Sequence, residues 1–433
     1  MAIRSNLSRQ RGLFLVAVVA LYAGLLVAKQ FLRGPALWDE ADFWTASLSF
    51  STRFIPTIEQ LTSYKELNTP LPFILFGWLE RLFQQDMFAG RLLCMLLSIV
   101  IVFAVGWPTA RKGWRSHRCL TGLLLCPYFL LYSGLLYTDI IACFFVLMGV
   151  MGYVHNRHLI SCIAFVLAIA SRQYMLAFPA AIALYEFVTA MGNISWRSLK
   201  VNRQLRWKDQ WRWMAPAIAT GSILGWIILF QGLAPKPAFM TPDVSGAYSA
   251  VLAVASGDAS PAVLVTNVPP VQQSLWALTP GAAVNFLSCV ALYMVIPEAV
   301  LFMSRHPLRQ VKSYLDRIGM KLWAIAALLL IFATIFPPLH SELGILIKLT
   351  NQISNEELKF VFFYGLALIS CLRFAKFDVI SLSVWLNCLI MMKAYPWDKY
   401  VLPLVVVFWY LKSRDLSVSR FVRSSSTAAK ISV

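Results

Sequence analysis

Charge is scarce in this chain: 13% of its 433 residues are charged against 59% hydrophobic, and the mean hydropathy is +0.67. That balance excludes an ordinary soluble domain, in which about 25% of residues are charged. Histidine is rarer still, with five in all, and the eight cysteines (94, 119, 126, 143, 162, 289, 371, 388) fall in or beside apolar runs and form no CxxC. Zinc sites and a disulfide framework are thereby excluded. No internal repeat is visible, and no segment on the basic side of the apolar runs exceeds about two dozen residues. A Rossmann-type domain for a nucleotide sugar has no room there. Acidic residues number 20 against 38 basic ones, a net charge of +18. The basic residues are scattered through many short loops, the pattern of positive-inside sorting against an anionic leaflet and not of a nucleic-acid surface.

Long apolar runs are what the chain has in abundance. A hydrocarbon core of about 30 Å takes roughly 20 residues of helix. Twelve spans are expected, at about 12–32, 88–108, 119–135, 137–153, 159–171, 174–190, 214–232, 277–303, 321–339, 358–373, 377–393 and 399–412. The first follows basic residues, as a signal peptide does, but its run is long and no small-x-small site precedes Arg33, so it reads as an uncleaved helix. Leu71–Phe83 is left out of the count. It is opened by Pro70 and Pro72, holds Glu80 and Arg81, and reaches only about 20 Å as a helix. Counting it would also place Arg111, Lys112, Arg115 and Arg118 outside, against the positive-inside rule. It is expected as an amphipathic helix, 70–84, lying in the outer interface within a first outer loop, 33–87.

Both termini are then cytoplasmic. The inside segments carry 26 of the 38 Lys+Arg and 6 of the 20 Asp+Glu, the outside segments 12 and 14. The expected fold is therefore all-α, a polytopic membrane protein forming one transmembrane domain over 1–433. It has a basic cytoplasmic loop at 191–213, an outer loop at 233–276 rich in Pro, Gly, Ala and Ser, and a cytoplasmic tail at 413–433. In the basic loop, Arg197, Lys200, Arg203, Arg206, Lys208 and Arg212 interleave with Trp196, Trp207 and Trp211, the pattern of a helix lying on anionic lipid.

This threading gathers most polar residues of interest on the outer face. Trp38-Asp39-Glu40-Ala41-Asp42 sets three carboxylates at a membrane surface, where they are costly unless they bind or react. A carboxylate there can act as general base on a sugar hydroxyl, or the group can be a helix N-cap with an acidic first turn. Asn68-Thr69-Pro70 follows, then Tyr137-Thr138-Asp139, where Asp139 is either a site residue or a partner of the helix dipole. Arg172-Gln173 ends a span on this side. An outward arginine needs an anion, either a lipid phosphate or an acidic side chain. His340 and Glu342 lie beyond Pro337-Pro338, and this histidine is alone, the other four being on the cytoplasmic side. Tyr395-Pro396-Trp397-Asp398-Lys399-Tyr400 opens the last span. Lys399 is a point charge for a phosphate, a snorkelling side chain or a partner of Asp398.

In these residues the chain resembles the GT-C membrane glycosyltransferases, and most of all the dolichyl-phosphate-glucose-dependent α-1,2-glucosyltransferases. The Asp-Glu pair after that family's first helix is matched by Asp39-Glu40, and its Tyr-Thr-Glu by Tyr137-Thr138-Asp139. Its Phe-Arg-Gln is answered by Ser171-Arg172-Gln173, and its Arg-Tyr before Leu/Ile-Pro by Lys399-Tyr400 with Leu402-Pro403. The likeness runs in order over most of the chain. It departs at Asp139 for Glu, at Tyr174-Met175 for Thr-Asn, and around His340, where a histidine-rich stretch is matched loosely.

The resemblance implies a GT-C fold of about twelve transmembrane helices and an inverting hexosyltransferase that uses a polyprenyl-phosphate sugar, glucose in that family. Asp39 would be the catalytic base, Arg172 and Lys399 would hold the donor phosphate, and Glu40, Asp42, Tyr137, Asp139, Gln173, His340, Glu342, Asp398 and Tyr400 would face the substrates. The implied partners are the lipid-linked donor, a glycan or glycolipid acceptor and membrane lipid, with no nucleic acid. No metal ligand set is assigned and no cofactor is implied, a divalent-metal requirement being undecided. The compact loops favour a bacterial inner membrane with a periplasmic site over an ER membrane with a lumenal one. The competing readings are a lipid or sugar transporter or flippase, which would carry its intramembrane charges near the midplane, and a non-catalytic scaffold.

Overall fold

A computed structural model of the chain describes residues 2–29, 32–109, 113–192, 207–239, 276–303, 319–339 and 343–416. Its elements are helices and helical turns, with no strand among the described residues. Five helices are long and apolar enough to cross a membrane, at Leu7–Val27, Met87–Gly106, Gln173–Met191, Gln210–Phe230 and Gly281–Leu301. Shorter apolar helices cover Thr138–Val154, His158–Ser171, Met320–Ile335 and Val379–Met391. An integral membrane protein is what such helices imply. His340, Glu342, residues 193–206 of the basic loop, 240–275 of the outer loop and 417–433 of the tail lie outside the described residues.

The α-helices in chain order are α1 (Ala2–Lys29), α2 (Glu40–Phe50), α3 (Ile58–Ser63), α4 (Leu71–Phe83), α5 (Met87–Gly106), α6 (Gly113–Leu124), α7 (Pro127–Tyr132), α8 (Thr138–Val154), α9 (His158–Ser171) and α10 (Ala177–Gly192). They continue with α11 (Trp207–Gly221), α12 (Ile223–Phe230), α13 (Gly281–Val290), α14 (Ile296–Leu301), α15 (Met320–Ile335), α16 (Ile345–Thr350), α17 (Glu356–Arg373), α18 (Val379–Met391) and α19 (Leu402–Arg414). The run expected as one span at 119–135 is broken instead. Pro127 has no N–H to give and bars its predecessor from helical geometry, so Cys126 is extended (φ −82°, ψ 107°) and α7 starts anew.

The frame is organised around α19, whose residues Leu402–Leu411 are all buried, as befits a helix apolar on every side. It packs on α5, α6 and α8. Its C-terminal end is tied by charge. Glu298 of α14 accepts from Arg373 at 2.7 and 2.9 Å and also pairs with Lys412. Arg115 of α6 bridges Asp415 at 2.7 Å, and Arg414 donates to the Ala104 carbonyl of α5 at 2.8 Å. The other end of α19 carries the site described below.

Two local devices shape that end. The short α2 and α4 cross at Gly77, where a Cβ would stand 2.6 Å from the Ser47 carbonyl oxygen and 2.8 Å from the Phe50 backbone. Only glycine permits that approach. In the long apolar helix, Pro297 cannot donate to the carbonyl of Tyr293, and the helix widens into a π turn over Ala291–Val295.

Candidate active site at the mouth of the last helix

The site begins with an arginine inside an apolar helix. Arg91 of α5 is 1% exposed, and its guanidinium grips Glu40 through both carboxylate oxygens, Nε to Oε1 at 2.9 Å and Nη2 to Oε2 at 2.7 Å. It also donates to the carbonyls of Gly34 at 2.7 Å and Pro35 at 3.0 Å. Glu40 accepts the backbone N–H of Leu37 at 2.9 Å and of Leu136 at 2.6 Å. A buried ion pair holds only when its remaining lone pairs and protons are met in this way. The carboxylate of Glu40, expected toward substrate, thus faces the protein interior.

That clamp fixes the turn that presents Asp39. Trp38 is held at φ +51°, a left-handed conformation uncommon for a bulky residue, and Asp39 follows at the N-cap of α2. The Asp39 carboxylate caps nothing. It turns to Lys399, with Oδ2 3.3 Å from Nζ, while the Asp39 N–H donates to the Tyr137 hydroxyl at 3.3 Å. Asp39 is 38% exposed and Lys399 only 4%. The Lys399 ammonium lies 3.3 Å from the centre of the Trp397 ring and 5.5 Å from that of Tyr137, so aromatic faces share in offsetting its burial. Tyr137 is set in turn by stacking on Tyr132 at 4.3 Å.

Lys399 therefore pairs across the fold with Asp39 and not with its neighbour Asp398. Asp398 points the other way, accepting from the Tyr293 hydroxyl at 2.7 Å and from the Leu346 N–H at the start of α16 at 2.8 Å. Gly344, at φ +103°, leaves room for it; a Cβ there would stand 2.2 Å from Oδ1. A small cleft lies beside it, lined by Asn285, Phe286, Tyr395, Trp397, Asp398 and Tyr400 among others.

For Arg172 the acidic side chain is the anion present. Its Nη2 donates to Asp139 Oδ2 at 2.7 Å and its Nε to Thr138 Oγ1 at 2.7 Å, with both residues of the ion pair buried. Asp139 Oδ1 has no hydrogen-bond partner. Gln173 donates to the carbonyls of Leu67 at 2.6 Å and Leu233 at 3.1 Å, so it braces the outer loop. The Tyr400 ring meets Tyr174 edge-on at 5.5 Å.

Two residues of this region escaped the sequence reading. Arg91 carried the same signal as Arg172, an arginine near the end of an apolar run. Glu66 carried none beyond its charge. It is half-buried in the 64–69 segment, within the field of Asp42, Asp39, Arg172 and Lys399. Burial, then Asp42 and Asp39, push its carboxyl up to about 8, against the opposite pull of Arg172 and Lys399.

Asp39, Asp42, Glu66, Tyr137, Asp139, Arg172 and Lys399 thus come from five separate segments to one end of the frame. No group of three or more His, Cys, Asp or Glu suited to a metal ion exists among the described residues. The arrangement offers a half-open carboxylate next to a buried ammonium, chemistry fit for taking a proton while an anion is held nearby. No protein family, curated protein or solved structure matches the chain, and any functional reading rests on these residues.

Proposed function

We propose that the protein is an inverting glycosyltransferase of the GT-C type that moves a hexose from a polyprenyl phosphate to an acceptor hydroxyl on the non-cytoplasmic face of its membrane. The observation that carries this reading is the pairing of half-exposed Asp39 with buried Lys399, 3.3 Å apart and 360 residues distant in sequence. Asp39 takes the proton of the acceptor hydroxyl as that oxygen bonds to the sugar's anomeric carbon. The bond from that carbon to the phosphate oxygen breaks, and the electron pair leaves with the polyprenyl phosphate. Lys399 opposes the charge that grows there, a role suited to an ammonium held out of water.

Arg172 stands behind Lys399 in this scheme. Asp139 engages Nη2 and Thr138 engages Nε, and Nη1 is the donor that this reading assigns to the phosphate. Asp42 and Tyr400 would border the sugars, whereas Tyr137, expected to face substrate, is fully buried and acts through Asp39, whose N–H its hydroxyl accepts. The lipid tail would run between helices, and α4 with α2 would roof the sugar.

The test is a reconstituted assay of the purified protein with a panel of radiolabelled polyprenyl-phosphate hexoses. Transfer of label to a glycan or glycolipid, dependent on the lipid phosphate, is expected. Movement of an intact lipid or sugar across the vesicle membrane without any new glycosidic bond would favour a transporter.

A further inference from the structure

At the end of α19 away from the candidate active site, three cations meet one aromatic ring. The Lys412 ammonium lies 4.3 Å from the centre of the Phe302 ring, and the guanidinium carbons of Arg115 and Arg118 each lie 5.9 Å from it. Arg115 and Arg118 are three residues apart on α6 and share a face of it, where like charges repel. Two of the three cations have acids. Lys412 pairs with Glu298, which Arg373 also grips, and Arg115 bridges Asp415 at 2.7 Å. Arg118 is exposed and has no acid partner among the described residues. Arg115, Arg118, Arg373 and Lys412 thus face only Glu298 and Asp415, and the surplus positive charge calls for a further anion.

The depth of the cluster identifies that anion. Phe302 directly follows Gly281–Leu301, and Arg414, two residues beyond Lys412, donates to Ala104 near the end of Met87–Gly106; both helices are long and apolar enough to cross a membrane. The ring and its cations therefore stand where a span gives way to the head-group layer. One turn back into the span, Ile296 and Val300 lie on one side of α14 and are exposed, as is Met303 beside the ring, an apolar strip suited to an acyl chain. We infer that Arg115 and Arg118, gathered with Lys412 on Phe302, form a site for the phosphate of an anionic phospholipid whose acyl chain lies along Ile296 and Val300. Arg118 offers the phosphate its planar fork of N–H donors, and Arg115 and Lys412 add charge from the other sides of the ring. A zwitterionic lipid is rejected, because the cation of its own head group would meet these three. The site stands independently of the transferase reading and needs only a protein held in a membrane.

The experiment titrates the full-length protein in neutral detergent with phosphatidylglycerol and, separately, with phosphatidylcholine, and reads bound lipid by native mass spectrometry. The wild type is expected to retain the first phosphatidylglycerol at least about tenfold more tightly than phosphatidylcholine. Arg118→Gln is expected to weaken phosphatidylglycerol about tenfold and to leave phosphatidylcholine unchanged. Lys321→Gln, which removes an exposed charge at the start of α15 outside the cluster, is expected to leave both lipids within about twofold of wild type. Because Arg118 is exposed and has no acid partner, Arg118→Gln is expected to melt with the wild type; Arg118→Met, which keeps an apolar stem over Phe302, gives a second reading of the same loss. Inorganic phosphate is expected not to displace the lipid, and displacement at the lipid's own concentration would overturn the inference in favour of a soluble anion. Wild-type affinity for phosphatidylglycerol in both Arg118 variants, or an equal loss in Arg118→Gln and Lys321→Gln, would overturn it as well, the second result leaving only diffuse attraction to the basic face.

Discussion

Arg91 and Arg172 answer one physical demand in the same way. Each sits near the end of an apolar helix, each is nearly inaccessible, and each finds a carboxylate at 2.7 Å. A buried charge left alone is far more costly than a pair replaced as a whole. Arg91→Ala is therefore expected to cost about 3–5 kcal/mol, because Glu40 keeps its charge without its partner. Thermal unfolding in detergent measures it, and Arg91→Met with Glu40→Leu should recover much of the loss. Arg172 separates structure from binding more sharply. Arg172→Met with Asp139→Leu should fold yet bind farnesyl phosphate more weakly than wild type if Nη1 meets the donor phosphate. Unchanged binding in that variant would confine Arg172 to bracing Asp139. The sequence showed that an outward arginine needs an anion, but not which one. The choice depends on how α8 and α9 lie side by side, and a linear pattern does not carry that.

Among the elements, α2 and α4 decide how Asp39 is presented. Their crossing depends on Gly77, whose Cβ position is occupied by backbone of α2 and not by a pliable side-chain tip. Gly77→Ala is expected to cost about 1–3 kcal/mol through forced separation of the two helices, read as a lower melting temperature. A melting temperature equal to wild type would show that the crossing yields easily. The helix at Leu71–Phe83 was legible from its flanking prolines and length, since both act locally. The break at Cys126-Pro127 was missed, because the surrounding apolar run hid it: hydropathy averages over a proline that backbone geometry does not forgive. The π turn at Ala291–Val295 was not readable, although Pro297 is its local cause. Its consequence, the Tyr293 hydroxyl on Asp398, needs the last turn to be packed beside it.

At the scale of the whole molecule, α19 joins two poles, the Asp39–Lys399 pair at one end and the Glu298 cluster at the other. In the orientation proposed from the charge segregation along the sequence, the first pole lies outside and the second inside. An engineered cysteine at Asn68 is then expected to react with an impermeant maleimide in intact cells, and one at Arg115 to be protected until the membrane is opened. Labelling of both from outside would overturn that orientation. The candidate residues were readable because polar side chains at the ends of apolar runs stand out; their pairing was not, and Lys399 illustrates why. Asp398 is its neighbour in sequence, but the 3₁₀ turn over Asp398–Val401 sends the two side chains in different directions.

The central claim, that Asp39 is the base of a sugar-transfer reaction, is tested most directly by Asp39→Asn in the reconstituted transfer assay. The amide keeps the size of the side chain and an oxygen for Lys399 but accepts no proton. The account predicts a protein that melts within a few degrees of wild type, still binds the lipid-linked donor and transfers sugar at least about a hundredfold more slowly. Transfer within a few-fold of wild type would contradict it.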